Sequence, residues 1–404
     1  MEFETLTQIY YTKPDLYEEI YHMRYTSSLS EHIAIAIKQY NRRKSYPAFF
    51  YYTNEILLLL EQLWGTYEEF LKIVHDVPPI VCHQFALLSI LDEVKSTNDI
   101  EGVHSTRKEI RAILDGTASP SERLHSIVQK YHSLLDDVEI KFDTCQDIRD
   151  FYDEFAHKEI VAENSSHRLD GVIFRKESVE FDSATGKVIH KGLYPESKII
   201  TTMEQALQIL HAKQWPLWVR LGLFHYFFAY IHPFYDGNGR TDRFITSYFL
   251  QKRLHKLIAL RLSVFIKKNR SMYYKLFMEA DSEINRGDLT PFITGFLHIL
   301  KGTIEDTIGL LSRKNEQLER FRNKIQKLCP EDETMQNLYY ILLQAALFYG
   351  QGISISKLME ITGKSRPTIQ KRLSMIPPEH LIVTKSRKII FYKLNLMVYK
   401  NVSL

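Results

Sequence analysis

The chain has 404 residues, 45% of them hydrophobic and 25% charged, with a formal net charge of +3; this is the balance of a globular protein of two or three domains and excludes disordered and fibrous classes. Its longest apolar runs, such as "ILLLL" at 56–60, fall far short of the roughly 20 residues that cross a bilayer, so no membrane partner is expected. The opening "MEFETLTQIYYTKPD" has no basic or apolar leader region, and Cys82, Cys145 and Cys329 are odd in number and far apart, which fits a reducing cytoplasm and neither a disulfide framework nor a metal spacing.

In chain order, residues 1–80 show apolar recurrence near 3.6 in "YPAFFYYTNEILLLLEQLW" and "TYEEFLKIV" and predict an N-terminal helical region. After Pro78-Pro79 a helix is predicted through "CHQFALLSILDEVKST", about 84–102, up to Gly102, and Thr106 with Glu109 has the spacing of a capping box for the next one. Over about 170–196 the texture changes: "GVIFRKESVEFDSATGKVIHKGLYP" alternates β-formers around Gly186 and predicts a short hairpin. Helices return from Thr202 to about Leu328. Residues 301–328 are amphipathic and read as a connecting helix, with pairing to a partner as the alternative, and "CPEDE" at 329–333 reads as a linker.

Within this helical stretch, "PLWVRLGLFHYFFAYI" is apolar on nearly every face, with Pro216 suited to its first turn, and it predicts a central bundle helix. Directly after it comes "HPFYDGNGRTDR", residues 232–243. His232 ends the buried helix, and Gly237 and Gly239 permit unusual backbone and close approach of a ligand. Helical periodicity resumes at about Arg240, so the turn lies at a helix N-terminus, where free N–H groups and the dipole favour an anion. Arg240 and Arg243 are three apart and share a face. Asp236 is a carboxylate suited to Mg²⁺ beside phosphates, and His232 can accept a proton near neutrality. Anion cradle, metal carboxylate and proton acceptor together describe phosphoryl or nucleotidyl transfer.

These residues resemble the signature of the Fic (filamentation induced by cAMP) family, His-Pro-Phe-x-[Asp/Glu]-Gly-Asn-Gly-Arg-x-x-Arg. The resemblance implies a helical bundle and transfer of AMP from ATP to a Ser, Thr or Tyr hydroxyl of a target protein. On it, His232 is the base, Asp236 binds Mg²⁺, Gly237, Asn238, Gly239 and Arg240 hold the phosphates, and Arg243 takes the γ-phosphate. The hairpin with "HKGLYPE" resembles the family's flap, so that Lys191, Gly192, Leu193 and Tyr194 dock the target by strand addition; without the resemblance, a plain surface hairpin fits as well. "STNDIEG" at 96–102 matches the inhibitory motif [Ser/Thr]-x-x-x-Glu-[Gly/Asn] as Thr97, Glu101 and Gly102; by resemblance Glu101 pairs with Arg243 and denies it to the phosphate. Gly102 reads equally as a helix C-cap. One departure is Asp242, often glycine in the family: pointing inward it opposes a triphosphate, pointing outward it is harmless.

The C-terminal stretch has another character. Residues 353–400 hold ten Lys/Arg and two Glu, a local charge of +8 against +3 for the whole chain, so the rest is mildly acidic. "MQNLYYILLQAALFYG" predicts a helix closed by Gly350, "SISKLMEITG" a helix capped by Ser356, and "KSRPTIQKRLSMI" a helix with Arg366, Lys371 and Arg372 outermost. "LIVTKSRKIIFYKL" predicts a wing with Lys385, Arg387 and Lys388 near its tip. The order resembles a winged helix-turn-helix, for DNA or for protein contacts and dimerisation.

The expectation is therefore mainly α: an N-terminal helical region (1–80), a Fic-type bundle with inhibitory helix and flap (81–300), a connecting helix and linker (301–333) and a small winged helix-turn-helix (334–404). The functional expectation is a protein adenylyltransferase autoinhibited by Glu101. Its alternatives are a winged-helix regulator whose Fic core senses nucleotide or forms a homodimer, and a Fic enzyme that removes AMP or uses another donor.

Overall fold

The computed structural model describes residues 3–182, 188–328, 331–348, 352–386 and 389–400. It is mostly helical, with three small antiparallel sheets. The chain divides into two compact units, residues 1–68 with 89–306, and residues 69–88 with 307–404. Among the described residues no helix is long and apolar enough to cross a membrane.

The first unit opens with helices α1 (Leu6–Thr12) and α2 (Tyr17–Tyr25). Strands β1 (Ser30–Ile37) and β2 (Tyr46–Tyr51) follow as an antiparallel pair, with Ile33 opposite Ala48. The N-terminal region expected to be helical holds this strand pair as well as its helices. Ile33, Ile35 and Ile37 are buried and their neighbours exposed, the period of two that a half-buried strand requires. The aromatic run "YPAFFY" forms the second strand, and helix begins only at α3 (Asn54–His75).

Helix α4 (Pro79–Ile100) ends in a turn at Gly102, whose φ of +74° favours glycine. Helix α5 (Arg107–Leu114) starts at the expected capping box: the Thr106 hydroxyl accepts from the Glu109 N–H, and the Glu109 carboxylate accepts from the Thr106 N–H. Helices α6 (His125–Ser133), α7 (Cys145–Tyr152) and α8 (Lys158–Glu163) come next, with a single π turn, Asp153–His157, between the last two. The flap strands β3 (Glu180–Asp182) and β4 (Val188–Lys191) pair antiparallel; Gly186 lies outside the described residues.

Helix α9 (Glu196–His211) leads to α10 (Leu217–Ile231), which Pro216 caps and which is buried almost all round. Helix α11 (Asn238–Arg253) carries the arginines of the glycine-rich turn. Helices α12 (Lys256–Ala259), α13 (Leu262–Lys268) and α14 (Arg270–Asp281) then wrap this pair. Helix α15 (Thr290–Leu328) is continuous over 39 residues, so helix runs unbroken through the connecting segment.

In the second unit, α16 (Glu333–Phe348) precedes β5 (Ile353–Ser354), α17 (Ile355–Thr362), α18 (Arg366–Ser374), β6 (Leu381–Ser386), β7 (Ile389–Leu394) and α19 (Leu396–Lys400). The three strands are ordered β5-β7-β6. The cap of α17 is Ser354, whose hydroxyl accepts from the Lys357 N–H, and not Ser356, because the helix starts two residues earlier than expected. Gly350 lies outside the described residues.

Candidate active site

Everything at the site is set by the end of α10. Twelve of its fifteen residues are buried, so the helix cannot shift without exposing them. His232 terminates it in the left-handed region, φ 53° and ψ 63°. That backbone is uncommon for a residue with a side chain and marks a functional position. Its Nδ1 lies 3.3 Å from the Ala229 carbonyl; a carbonyl only accepts, so Nδ1 carries the hydrogen and Nε2 is the basic nitrogen. Burial, and then the charges of His190 and Arg175, hold its pKa down to about 3. His232 is therefore a neutral proton acceptor at any physiological pH.

The turn from Pro233 to Gly237 is braced from both sides. The Phe234 ring stacks on Tyr152 at 3.6 Å, and the Tyr152 hydroxyl donates to the Asp236 carbonyl at 3.0 Å. The π turn follows Tyr152, the kind of local widening often found at functional sites. Gly237 has φ +79°, and a Cβ there would stand 2.7 Å from Ile160. Asn238 accepts from the Phe234 N–H at 2.9 Å and donates to the Phe234 carbonyl at 2.8 Å. Its amide thus shapes the turn, and the second hydrogen of its NH₂ group is left over from these two bonds.

Arg243 is buried, and its Nη2 lies 2.7 Å from Glu101 Oε1. Its Nε donates to the Thr97 hydroxyl at 2.9 Å and its Nη2 to the Thr97 carbonyl at 3.1 Å. The two short patterns are therefore brought together atom by atom, Thr97 meeting Arg243 across 146 positions. A Cβ on Gly239 would fall 2.2 Å from Glu101 Oε1, so only glycine admits the carboxylate here. Arg240 is buried at the start of α11 with its Nη2 3.8 Å from Asp236 Oδ1, and its Nε and Nη2 make no hydrogen bond. A buried cation with donors to spare beside a helix N-terminus suits an anion.

Asp236 is partly exposed; one oxygen accepts from the Gly237 N–H and the other faces His167 Nδ1 at 3.8 Å. Among the described residues no group of three or more His, Cys, Asp or Glu could hold a metal alone. A single carboxylate next to an anion cradle fits Mg²⁺, which keeps waters and shares phosphate oxygens. Asp242 points inward. It is buried, its Oδ1 lies 3.2 Å from His225 Nδ1, and burial raises its pKa against the opposing pull of His225 and Arg243.

Glu101, His232, Gly239, Asp242 and Arg243 line one cavity, closed on the far side by Tyr273, Tyr274 and Phe277 of α14. Its volume is about 110 Å³, below the roughly 300 Å³ at which small-molecule pockets begin. The flap closes its rim: the Leu193 N–H donates to the Ile231 carbonyl at 3.0 Å, and a Cβ on Gly192 would meet His232 Cβ at 2.9 Å. Lys191 pairs with Glu180 at 3.1 Å, and Tyr194 is exposed.

Residues 144–250 match the Fic/DOC family. They form a Fic domain. Over 83 residues, 20% of this chain, the sequence is 35% identical to the protein adenylyltransferase Fic of Nematostella vectensis, where the match spans 17% of the length. Over 71 residues it is 37% identical to the protein of the same name from Drosophila grimshawi, across 13% of that protein. The match thus spans less than a fifth of these relatives. A Fic family protein from Desulfovibrio desulfuricans G20 shares the fold, with a TM-score of 0.52 at 19% identity over 86% of this chain and 97% of that one.

Three residues around the Fic domain's site gave no signal in the sequence. Arg175 donates to the His232, Leu193 and Glu177 carbonyls and ties flap to signature. His190 lines the cavity from β4. Glu93, on α4 two turns before Glu101, is fully buried and accepts from the Ser263 N–H at 2.8 Å and the Val264 N–H at 3.3 Å. Burial raises its pKa to about 7 despite these bonds. Because the folded value lies above the unfolded one, this group's contribution to stability is full below about pH 4.3 and is lost as pH rises through about 7. Glu93→Ala orphans two buried N–H groups and should cost about 1–3 kcal/mol in denaturant unfolding; an unchanged midpoint would show that the anchor is dispensable.

In the second unit, Arg366 and Lys371 on α18 and Lys385 on β6 are exposed as expected. Arg372 is half-buried and pairs with Asp332. Arg387 and Lys388 lie outside the described residues.

Proposed function

We propose that this chain is a protein adenylyltransferase, held off by Glu101, that transfers AMP from ATP to a hydroxyl side chain of a target protein. The Glu101–Arg243 ion pair inside the cavity that holds His232 carries this reading. A triphosphate in that cavity lays its phosphates on the α11 N-terminus and Arg240, and its γ-phosphate needs the guanidinium that Glu101 occupies. With Glu101 displaced, the target oxygen attacks the α-phosphorus in line and His232 Nε2 takes the hydroxyl proton. The bond from the α-phosphorus to the β-bridging oxygen breaks, and pyrophosphate leaves with the electron pair. Asp236 would hold Mg²⁺, which when bound neutralises charge on the phosphates. The flap holds the target segment beside His232. Asp242, buried against His225, weighs against a triphosphate less than a free carboxylate would.

For residues 334–404 we propose a winged helix-turn-helix, supported by the element order α16, β5, α17, α18, β6, β7 and by the exposed Arg366, Lys371 and Lys385. DNA is the partner we assign to it. The cytoplasmic setting rests on the scattered cysteines.

The test is incubation of the protein and its Glu101→Gly variant with Mg²⁺ and ATP labelled at the α-phosphate. A charge-assisted bond is worth about 1.5–3 kcal/mol, so self-labelling should rise about 10- to 100-fold in the variant. Nucleotide binding without label in Glu101→Gly would sink the transfer reading. Removal of preformed AMP-protein by the unaltered protein would favour the alternative in which Glu101 positions a water.

A further inference from the structure

His190 belongs to the flap strand β4, yet its side chain turns into the cavity beside His232. Its Nδ1 lies 3.0 Å from Asp281 Oδ2, and its Nε2 lies 2.9 Å from the Tyr230 carbonyl. The other Asp281 oxygen accepts from the Tyr226 hydroxyl at 2.8 Å. Both partners of the imidazole are acceptors, so both its nitrogens are satisfied only when each bears a hydrogen, which makes the ring an imidazolium. Asp281 closes α14 and Tyr230 belongs to the last turn of α10. One charged ring therefore joins the flap to both helices that frame the site.

The groups facing His190 are few. From α14 there is Asp281, and from α10 the Tyr230 carbonyl and, just beyond the helix end, His232. Arg175 approaches from the segment before the flap. Burial opposes charge on His190, but Asp281 and the Tyr230 carbonyl outweigh it and leave the pKa above its ordinary value. That charge in turn disfavours a second proton on His232.

We infer that His190, clamped as a cation between Asp281 and the Tyr230 carbonyl, is a positioning residue that fastens the flap over the site and adds its charge to the burial that disfavours a proton on His232. Flap closure and the basicity of His232 are then coupled: a flap that lifts carries away the charge that, after burial, most disfavours a proton on His232. The inference rests on the reading of His232 as the base, but its measurement does not require AMP transfer.

The test is proton NMR titration of the histidine rings in the full chain, with His190→Gln and Asp281→Asn compared. In the unaltered protein the His190 ring should hold its imidazolium position through pH 7. In His190→Gln the His232 midpoint should rise by about one unit as the neighbouring charge is lost. Exchange of the Leu193 amide should quicken about tenfold in either variant, since the clamp is broken from one side or the other. In a Glu101→Gly background the acid limb of the labelling profile should move up with the His232 midpoint. A His190 ring that is neutral at pH 7, or a His232 midpoint unmoved in both variants, overturns the inference. Absent labelling with both titration shifts present overturns the transferase reading and leaves the clamp standing.

Discussion

In a Glu101→Gly background, replacing His232 with alanine should lower AMP transfer by about 10²- to 10⁴-fold, the span a positioned general base supplies, with nucleotide affinity nearly unchanged. The separation of rate from affinity follows from what His232 touches. The proposed phosphate cradle is the α11 N-terminus with Arg240 and Arg243, and the shape of that turn is fixed by Asn238 on Phe234 and by Phe234 on Tyr152. None of these contacts uses the imidazole. The Arg175 bond to this residue goes to its carbonyl, which alanine keeps. Single-turnover incorporation of α-labelled phosphate at saturating ATP measures the rate, and equilibrium titration with an ATP analogue measures affinity. A tenfold loss of affinity with little loss of rate would make His232 a binding residue. The pH dependence has a definite sign. Between pH 6.5 and about 3 the unfolded chain binds a proton at this position that the folded chain refuses. His232 thus favours unfolding on acidification through that window, and alanine should soften the acid limb of the stability curve while abolishing activity.

The layout of the candidate site was legible in the sequence where residues lie together through local spacing. His232 to Arg243 lie within one helix end, one turn and one helix start, so their order alone places acceptor, cradle and guanidinium together. Glu101 followed because a helix end delivers it in the same way. What stayed hidden acts across the chain. Arg175 reaches carbonyls 18 and 57 residues away, and His190 meets Asp281 91 positions later in the sequence. A lone arginine in "GVIFRKE" or a histidine in a hairpin looks like any surface group until the backbone closes around it. The β1–β2 sheet lies in the region expected to be helical: "YPAFFYYTNEILLLLEQLW" is apolar at both periods and passes from strand β2 into helix α3, while β1 shows its strand character in the alternate burial of Ile33, Ile35 and Ile37. The pairing of Arg372 with Asp332 was hidden for a related reason: the two lie 40 residues apart in the sequence.

Arg175 carries the second large effect. Its guanidinium is fully buried without a carboxylate, and burial lowers its pKa to about 10. At about 1.4 kcal/mol per unit, holding the charge there costs on the order of 3 kcal/mol, which Arg175→Met relieves. Against this, methionine orphans the carbonyls of His232, Leu193 and Glu177, at about 1–3 kcal/mol each. The second term wins, and the variant should lose about 1–5 kcal/mol of stability in denaturant unfolding. Function should suffer more than stability, because those carbonyls belong to the flap and to the residue that ends α10. Labelling in the Glu101→Gly background should fall at least about tenfold, and exchange of the Leu193 amide should approach that of an open loop. Arg175→Lys keeps the charge but gathers its donors on one atom, which cannot span carbonyls on both sides of the flap, so it should recover stability in part and flap protection hardly at all. If Arg175→Met keeps Leu193 protected and labels normally, the flap is held by His190 and the Leu193–Ile231 bond alone, and the arginine serves only the fold.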